Sequence, residues 1–123
     1  MKKFLKKIIQ KISTESSKSF NVESNVSLHK GWFSETLEEF LKMNNEKVSF
    51  LHIDCDVYSS TYFVLDALKE RITSGSLIQF DEYFNFFGWK KHEHKAFKQF
   101  ISENNLEPEY LGFTDRRLLV RIK

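Results

Sequence analysis

Two short runs, VSFLHID (48–54) and SLIQFDEYF (76–84), constrain the fold most, because each is an apolar stretch that ends in carboxylates. Apolar runs of this length suit strands covered on both faces. Between them, YFVLDALKERI (62–72) has helical periodicity, with Ser59, Ser60 or Thr61 as candidate caps and Gly75 closing the connection. A strand–helix–strand order favours parallel pairing, which brings both acidic ends to one rim of a sheet.

The flanking segments extend the alternation. NVSLHKG (25–31) reads as a short strand ending at Gly31. SETLEEFLKM (34–43) reads as a helix, with Ser34 as its cap and Leu37, Phe40 and Leu41 on one face. HEHKAFKQFISENN (92–105) is a further helix, with Ala96, Phe97, Phe100 and Ile101 facing inward. The tail holds EYLGF (109–113) and RLLVRIK (117–123), joined by a short TDRR turn, the pattern of an antiparallel hairpin. The expected fold class is α/β, a mainly parallel sheet with a C-terminal antiparallel hairpin and helices on the faces.

Charge divides the chain of 123 residues in two. Residues 1–20 hold six lysines against Glu15, so the net +2 of the whole conceals an acidic body. The opening MKKFLKKIIQKI sets Phe4, Leu5, Ile8, Ile9 and Ile12 on one helical face with lysines opposite. Such a basic amphipathic helix can cover exposed sheet, bind a partner or contact an acidic membrane surface through residues 1–12. The lysines break up the apolar core that a signal peptide needs, and STESSKS (13–19) reads as a linker. The expected organisation is therefore a leader over 1–24 and a folded body over 25–123. No apolar run reaches the ~20 residues of a membrane span. An acidic body without an aromatic-basic pattern argues against nucleic-acid binding. The lone Cys55 excludes an internal disulfide and a multi-cysteine metal site, and a cytoplasmic setting is expected.

The chemistry concentrates where the strands stop. Asp54 ends the first run, and Asp81 and Glu82 end the second. Ligands of open α/β sheets bind beyond the carboxyl ends of parallel strands. Carboxylates gathered there repel unless a cation neutralises them, and oxygen-only ligation suits Mg²⁺, Mn²⁺ or Ca²⁺. The competing reading makes each acid a cap for a neighbouring helix, a role that suits Asp56. His92 and His94 stand two apart on a helical segment, so they point apart and form no two-histidine metal site. The aromatic cluster YFNFFGW (83–89) reads either as a lip for a sugar ring or as core packing.

DCDVYSST, followed by the Asp81 of FDEYF, resembles the macrocin O-methyltransferase type of class I methyltransferase, which uses S-adenosylmethionine (SAM). The resemblance takes in KGWFSETL, LHIDCDVYSST, SGSLIQFDEYF, GWKKHEHKAF and the EYLGF…VRI finish, in that order. It implies a partial Rossmann-like methyltransferase sheet and O-methylation of a sugar or polysaccharide-type hydroxyl, on a small-molecule or glycan acceptor. It implies Mg²⁺ held by Asp54, Asp81 and Glu82, where characterised relatives more often carry Asp-Asp at the last two positions. Asp54 stands also where the family's proposed general base sits. Gly31, Trp32 and Phe33 fall beside the SAM adenine, and Tyr83, Trp89 and His92 on the acceptor side.

One part of the pattern has no counterpart. Enzymes of this class carry a glycine-rich turn of the E-x-G-x-x-x-G sort against the amino-acid end of SAM, where only glycine permits close backbone approach. The four glycines here, Gly31, Gly75, Gly88 and Gly112, are too far apart to form it. The expectation is the C-terminal half of a methyltransferase with an incomplete SAM site, completed by a separate N-terminal half or by a homo-oligomer. The alternative is a non-catalytic remnant acting as a binding or regulatory module. In either case strand 48–54 is left with an open edge that strand 25–31, the basic helix or another chain must cover.

Overall fold

The computed structural model describes residues 23–123; the basic helix and the linker expected within 1–20 lie outside the described residues. The described elements, in chain order, are α1 (Phe33–Met43), β1 (Phe50–Ile53), α2 (Tyr58–Ala67), β2 (Leu77–Phe80), a 3₁₀ turn (Trp89–Lys91), α3 (Glu93–Glu103), β3 (Pro108–Thr114) and β4 (Arg117–Ile122). The fold is α/β. Its four-stranded sheet runs β1-β2-β4-β3. β1 and β2 pair in parallel, with Ile53 opposite Phe80, while β2–β4 and β3–β4 are antiparallel. The sheet among the described residues is thus mixed, with the hairpin folded back so that its second strand lies against β2.

Residues 26–30, expected as a strand, have no regular structure. The reason is pairing: Val26 turns back to bond Glu23, Leu28 is exposed, and the segment does not join β1. Consequently the outer edge of β1 has no partner among the described residues. The helix starts also differ from expectation. Trp32 occupies the cap position of α1 and Val57 that of α2, neither with a side-chain cap bond, so Ser34, Ser59, Ser60 and Thr61 lie inside the helices and Asp56 lies before one.

Burial alternates along the sheet. Ile78 and Phe80 of β2 and Leu118, Val120 and Ile122 of β4 are buried, while their neighbours are more exposed, so one face carries the core. In β1 only Ile53 is buried, which departs from a strand covered on both faces. Helices α2 and α3 supply Val64, Leu65, Phe97 and Phe100 to the same cluster. The two helices are tied by Tyr58 and Tyr62, whose hydroxyls donate to Gln99 and Glu103. No described helix is long and apolar enough to cross a membrane.

Phe97 is fully buried, with its ring 4.9 Å from that of Phe80, whereas Phe87 is fully exposed. Phe97→Ala is expected to destabilise the chain by about 3–5 kcal/mol and Phe87→Ala by less than about 0.5 kcal/mol, as read by urea denaturation.

Candidate active site at the strand ends

The parallel ladder places the acids. The Asp81 N–H donates to Ile53 O at 3.0 Å, the last rung before both chains leave the sheet, so Asp54 and Asp81 follow adjacent strand ends. The Asp54 carboxyl is held above its ordinary range, first by partial burial and then by the negative charges of Asp81 and Asp56; His52 opposes the shift. Asp81 has two basic side chains beside it. Arg117 Nε donates to its Oδ1 at 2.9 Å, and His52 Nε2 lies 3.7 Å from the same atom. Arg117 reaches it because β4 pairs with β2 one residue on, at Leu118 opposite Phe80.

Asp81 and Glu82 line an open cleft of about 370 Å³ whose other wall is Thr114, Asp115, Arg116 and Arg117 of the β3–β4 turn. This turn is fastened to the loop after β2. Tyr83 N–H donates to Arg116 O at 2.7 Å, and Asn85 Nδ2 donates to Asp115 O at 2.6 Å. Among the described residues no group of three His, Cys, Asp or Glu side chains is placed to hold a metal ion. Of the three expected ligands, Asp54 and Asp81 act on one another at the strand ends, and Asp81 and Glu82 line the cleft together. Two carboxylates still suit Mg²⁺, which takes one or two carboxylates and completes its shell with water and substrate oxygens.

The aromatic residues divide between core and surface. Tyr83 is buried, in edge contact with Phe84, His94 and Phe97, and burial pushes its hydroxyl well above the usual tyrosine range. Tyr83 therefore belongs to the core and not to an exposed lip. Trp89 is half-buried, edge-on to His94 at 4.8 Å. His92 ends the 3₁₀ turn, caps α3 and stacks on Phe86, whose ring also carries Arg116 at 5.8 Å. Of these residues, Phe86 and His92 are the ones linked to the cleft wall. His94 turns inward instead, and burial with Lys98 and Lys90 nearby lowers its pKa.

At the other candidate segment, Gly31 has φ +144°, and a Cβ there would approach Thr36 Cγ2 to 3.0 Å. The glycine thus has a local reason at the start of α1. Trp32 is 64% exposed, while Phe33 is buried in the core with Leu37. Trp32 has a face free for an adenine; Phe33 does not.

One residue of the site is absent from the sequence reading. Glu93, the first residue of α3, is 0% exposed, and its Oε2 accepts the Glu82 N–H at 2.9 Å. Burial pushes its carboxyl up to about 8, and the charges of Asp56 and Asp54 act in the same direction. The available signal was periodicity: Glu93, Ala96, Phe97 and Phe100 form one buried stripe of the helix.

The comparisons with known proteins bear on the family and the fold. The chain is similar over 81% of its length to CalS11, described as a TDP-rhamnose 3'-O-methyltransferase of calicheamicin biosynthesis, with 26% identity and a TM-score of 0.65. It is similar in fold to the O-methyltransferase NovP, at 20% identity and a TM-score of 0.66, again over 81% of this chain. It spans 43% of the CalS11 chain and 38% of the NovP chain. Comparison with curated protein sequences gives no match. The family model described as macrocin O-methyltransferase (TylF) matches residues 1–112, taking in the lysine-rich opening, the parallel strands β1 and β2 and the acid pair. The chain belongs to the macrocin O-methyltransferase (TylF) family.

Proposed function

We propose that this chain carries the acceptor side of a SAM-dependent, Mg²⁺-dependent O-methyltransferase acting on a sugar hydroxyl. The observation that carries the reading is the pair Asp54–Asp81 at adjacent parallel strand ends, in a member of a methyltransferase family. The similarity to CalS11 supports a sugar acceptor. When bound, SAM supplies the methyl group and Mg²⁺ lowers the pKa of the acceptor hydroxyl.

The chain's own groups then have separate tasks. Asp54 and Asp81 would hold the ion, with Glu82 on the cleft wall beside them. A carboxylate with a raised pKa is the better proton acceptor, which makes Asp54 the candidate base for the hydroxyl proton. Arg117 fixes the direction of Asp81 from the far side. His92, stacked on Phe86 at the cleft edge, and the half-buried Trp89 border the acceptor, and the exposed Trp32 offers a face to adenine.

Calorimetry and thermal melting of the purified chain test this reading. Mg²⁺ at millimolar concentration is expected to raise the melting temperature by a few degrees, and Asp81→Ala to abolish the rise. SAM at millimolar concentration is the second ligand tried, and its binding would extend the reading to catalysis by this chain alone. A chain that binds neither would fit the binding-module alternative and defeat the enzymatic one.

The same acidic cluster sets a pH dependence. Because the Glu93 carboxyl lies at about 8 in the folded chain against 4.5 ordinarily, the folded state holds the proton more tightly between those values. Stability relative to Glu93→Gln is therefore expected to fall as pH rises from about 4.5 to about 8, by at most about 1.4 kcal/mol per pH unit. Urea denaturation at several pH values without added metal reads the difference, and parallel profiles would contradict it.

A further inference from the structure

We propose that Glu93 is a positioning residue for the acid pair: one buried carboxyl at the start of α3 braces the backbone leaving β2, and so sets Asp81 against Asp54. The proposal rests on reading those two acids as the working pair.

The ladder between β1 and β2 ends with the Asp81 N–H on Ile53 O. Beyond that rung the two chains have no sheet bonds to keep them in register, yet the residues that matter lie there. Glu93 takes over at this point. Its Oε2 accepts the Glu82 N–H at 2.9 Å, immediately after Asp81. Asp54 and Asp56, in the loop after β1, lie near enough for their charges to act on the same carboxyl. Asp56 is held in the left-handed region at φ 66°, at the tip of a tight turn closed by Val57 N–H on Cys55 O at 2.8 Å. One side chain on a third element therefore holds the chain leaving β2 beside the loop after β1.

Burial at this position is costly. A carboxyl removed from water needs hydrogen bonds to offset its desolvation, and Glu93 Oε1 is buried with no partner. An apolar side chain would continue the stripe of Ala96, Phe97 and Phe100 without that cost. The acceptor oxygens are what an apolar residue would lack. Glu93 is not itself a cleft group, since it is fully buried and the cleft is lined by other residues.

Amide hydrogen exchange followed by NMR on the full chain, combined with Mn²⁺ titration, tests the role. In the unaltered chain the Glu82 amide should exchange as slowly as the ladder amide of Asp81, although it lies outside the sheet. Glu93→Ala should speed exchange at Glu82 by more than about tenfold, leave β2–β4 amides unchanged and weaken Mn²⁺ binding by about 10–100-fold. Glu93→Gln, which retains one acceptor oxygen, should recover most of both losses. Fast exchange at Glu82 in the unaltered chain would overturn the proposal without recourse to any variant. So would a folded Glu93→Gln chain that fails to recover Glu82 protection. Slow exchange at Glu82 that depends on Glu93, in a chain that binds no Mn²⁺, would uphold the brace and remove the metal from the proposed function.

Discussion

The parallel pairing of β1 with β2 is the constraint on which the rest of the site depends. It forces Asp54 and Asp81 out of neighbouring strand ends, where partial burial and then the charge of Asp81 make Asp54 costlier to ionise. Everything around the pair answers that cost. Arg117 and His52 attend Asp81, while burial and the charges of Asp81 and Asp56 hold the Asp54 carboxyl above its ordinary range. An exposed ion pair such as Arg117–Asp81 adds little stability, about 0–1 kcal/mol. Its effect is on direction: it draws one oxygen of Asp81 toward the hairpin.

The mixed sheet explains why a turn far along the chain can serve the site. Because β4 pairs with β2, the β3–β4 turn stands over the end of β2 and forms the second wall of the cleft. The bonds from Tyr83 and Asn85 to the turn carbonyls join the two walls. The cleft is therefore held through backbone carbonyls of the turn, by one main-chain N–H and one side-chain amide that do not line it. Acceptor choice in such an arrangement would rest on Arg116, Phe86 and His92, which meet at its edge.

Much of this was legible in the sequence, and the failures have physical causes. The apolar runs ending in acid announced both parallel strands, and the spacing of EYLGF and RLLVRIK announced the hairpin. The strand expected at 25–31 failed because strand formation needs a partner, and local pattern says nothing of whether one is near. The cluster holding Tyr83 was open between an acceptor lip and core packing, and the place of Tyr83 just past β2 buries it beside Phe80. Arg117 was out of reach because its pairing with Asp81 spans 36 positions and depends on strand order. Glu93 was passed over since charged residues at a helix start are ordinarily solvated, although its spacing to Phe97 and Phe100 placed it on the buried stripe.

The central claim is that Asp54 and Asp81 form one coupled acidic pair at the sheet rim. A carbon-13 carboxyl NMR titration of the metal-free chain tests it most directly. The account predicts that Asp54 titrates above the ordinary aspartate range and moves back toward it in Asp81→Asn. An Asp54 that titrates like a free aspartate, or that is indifferent to the loss of the Asp81 charge, would contradict it.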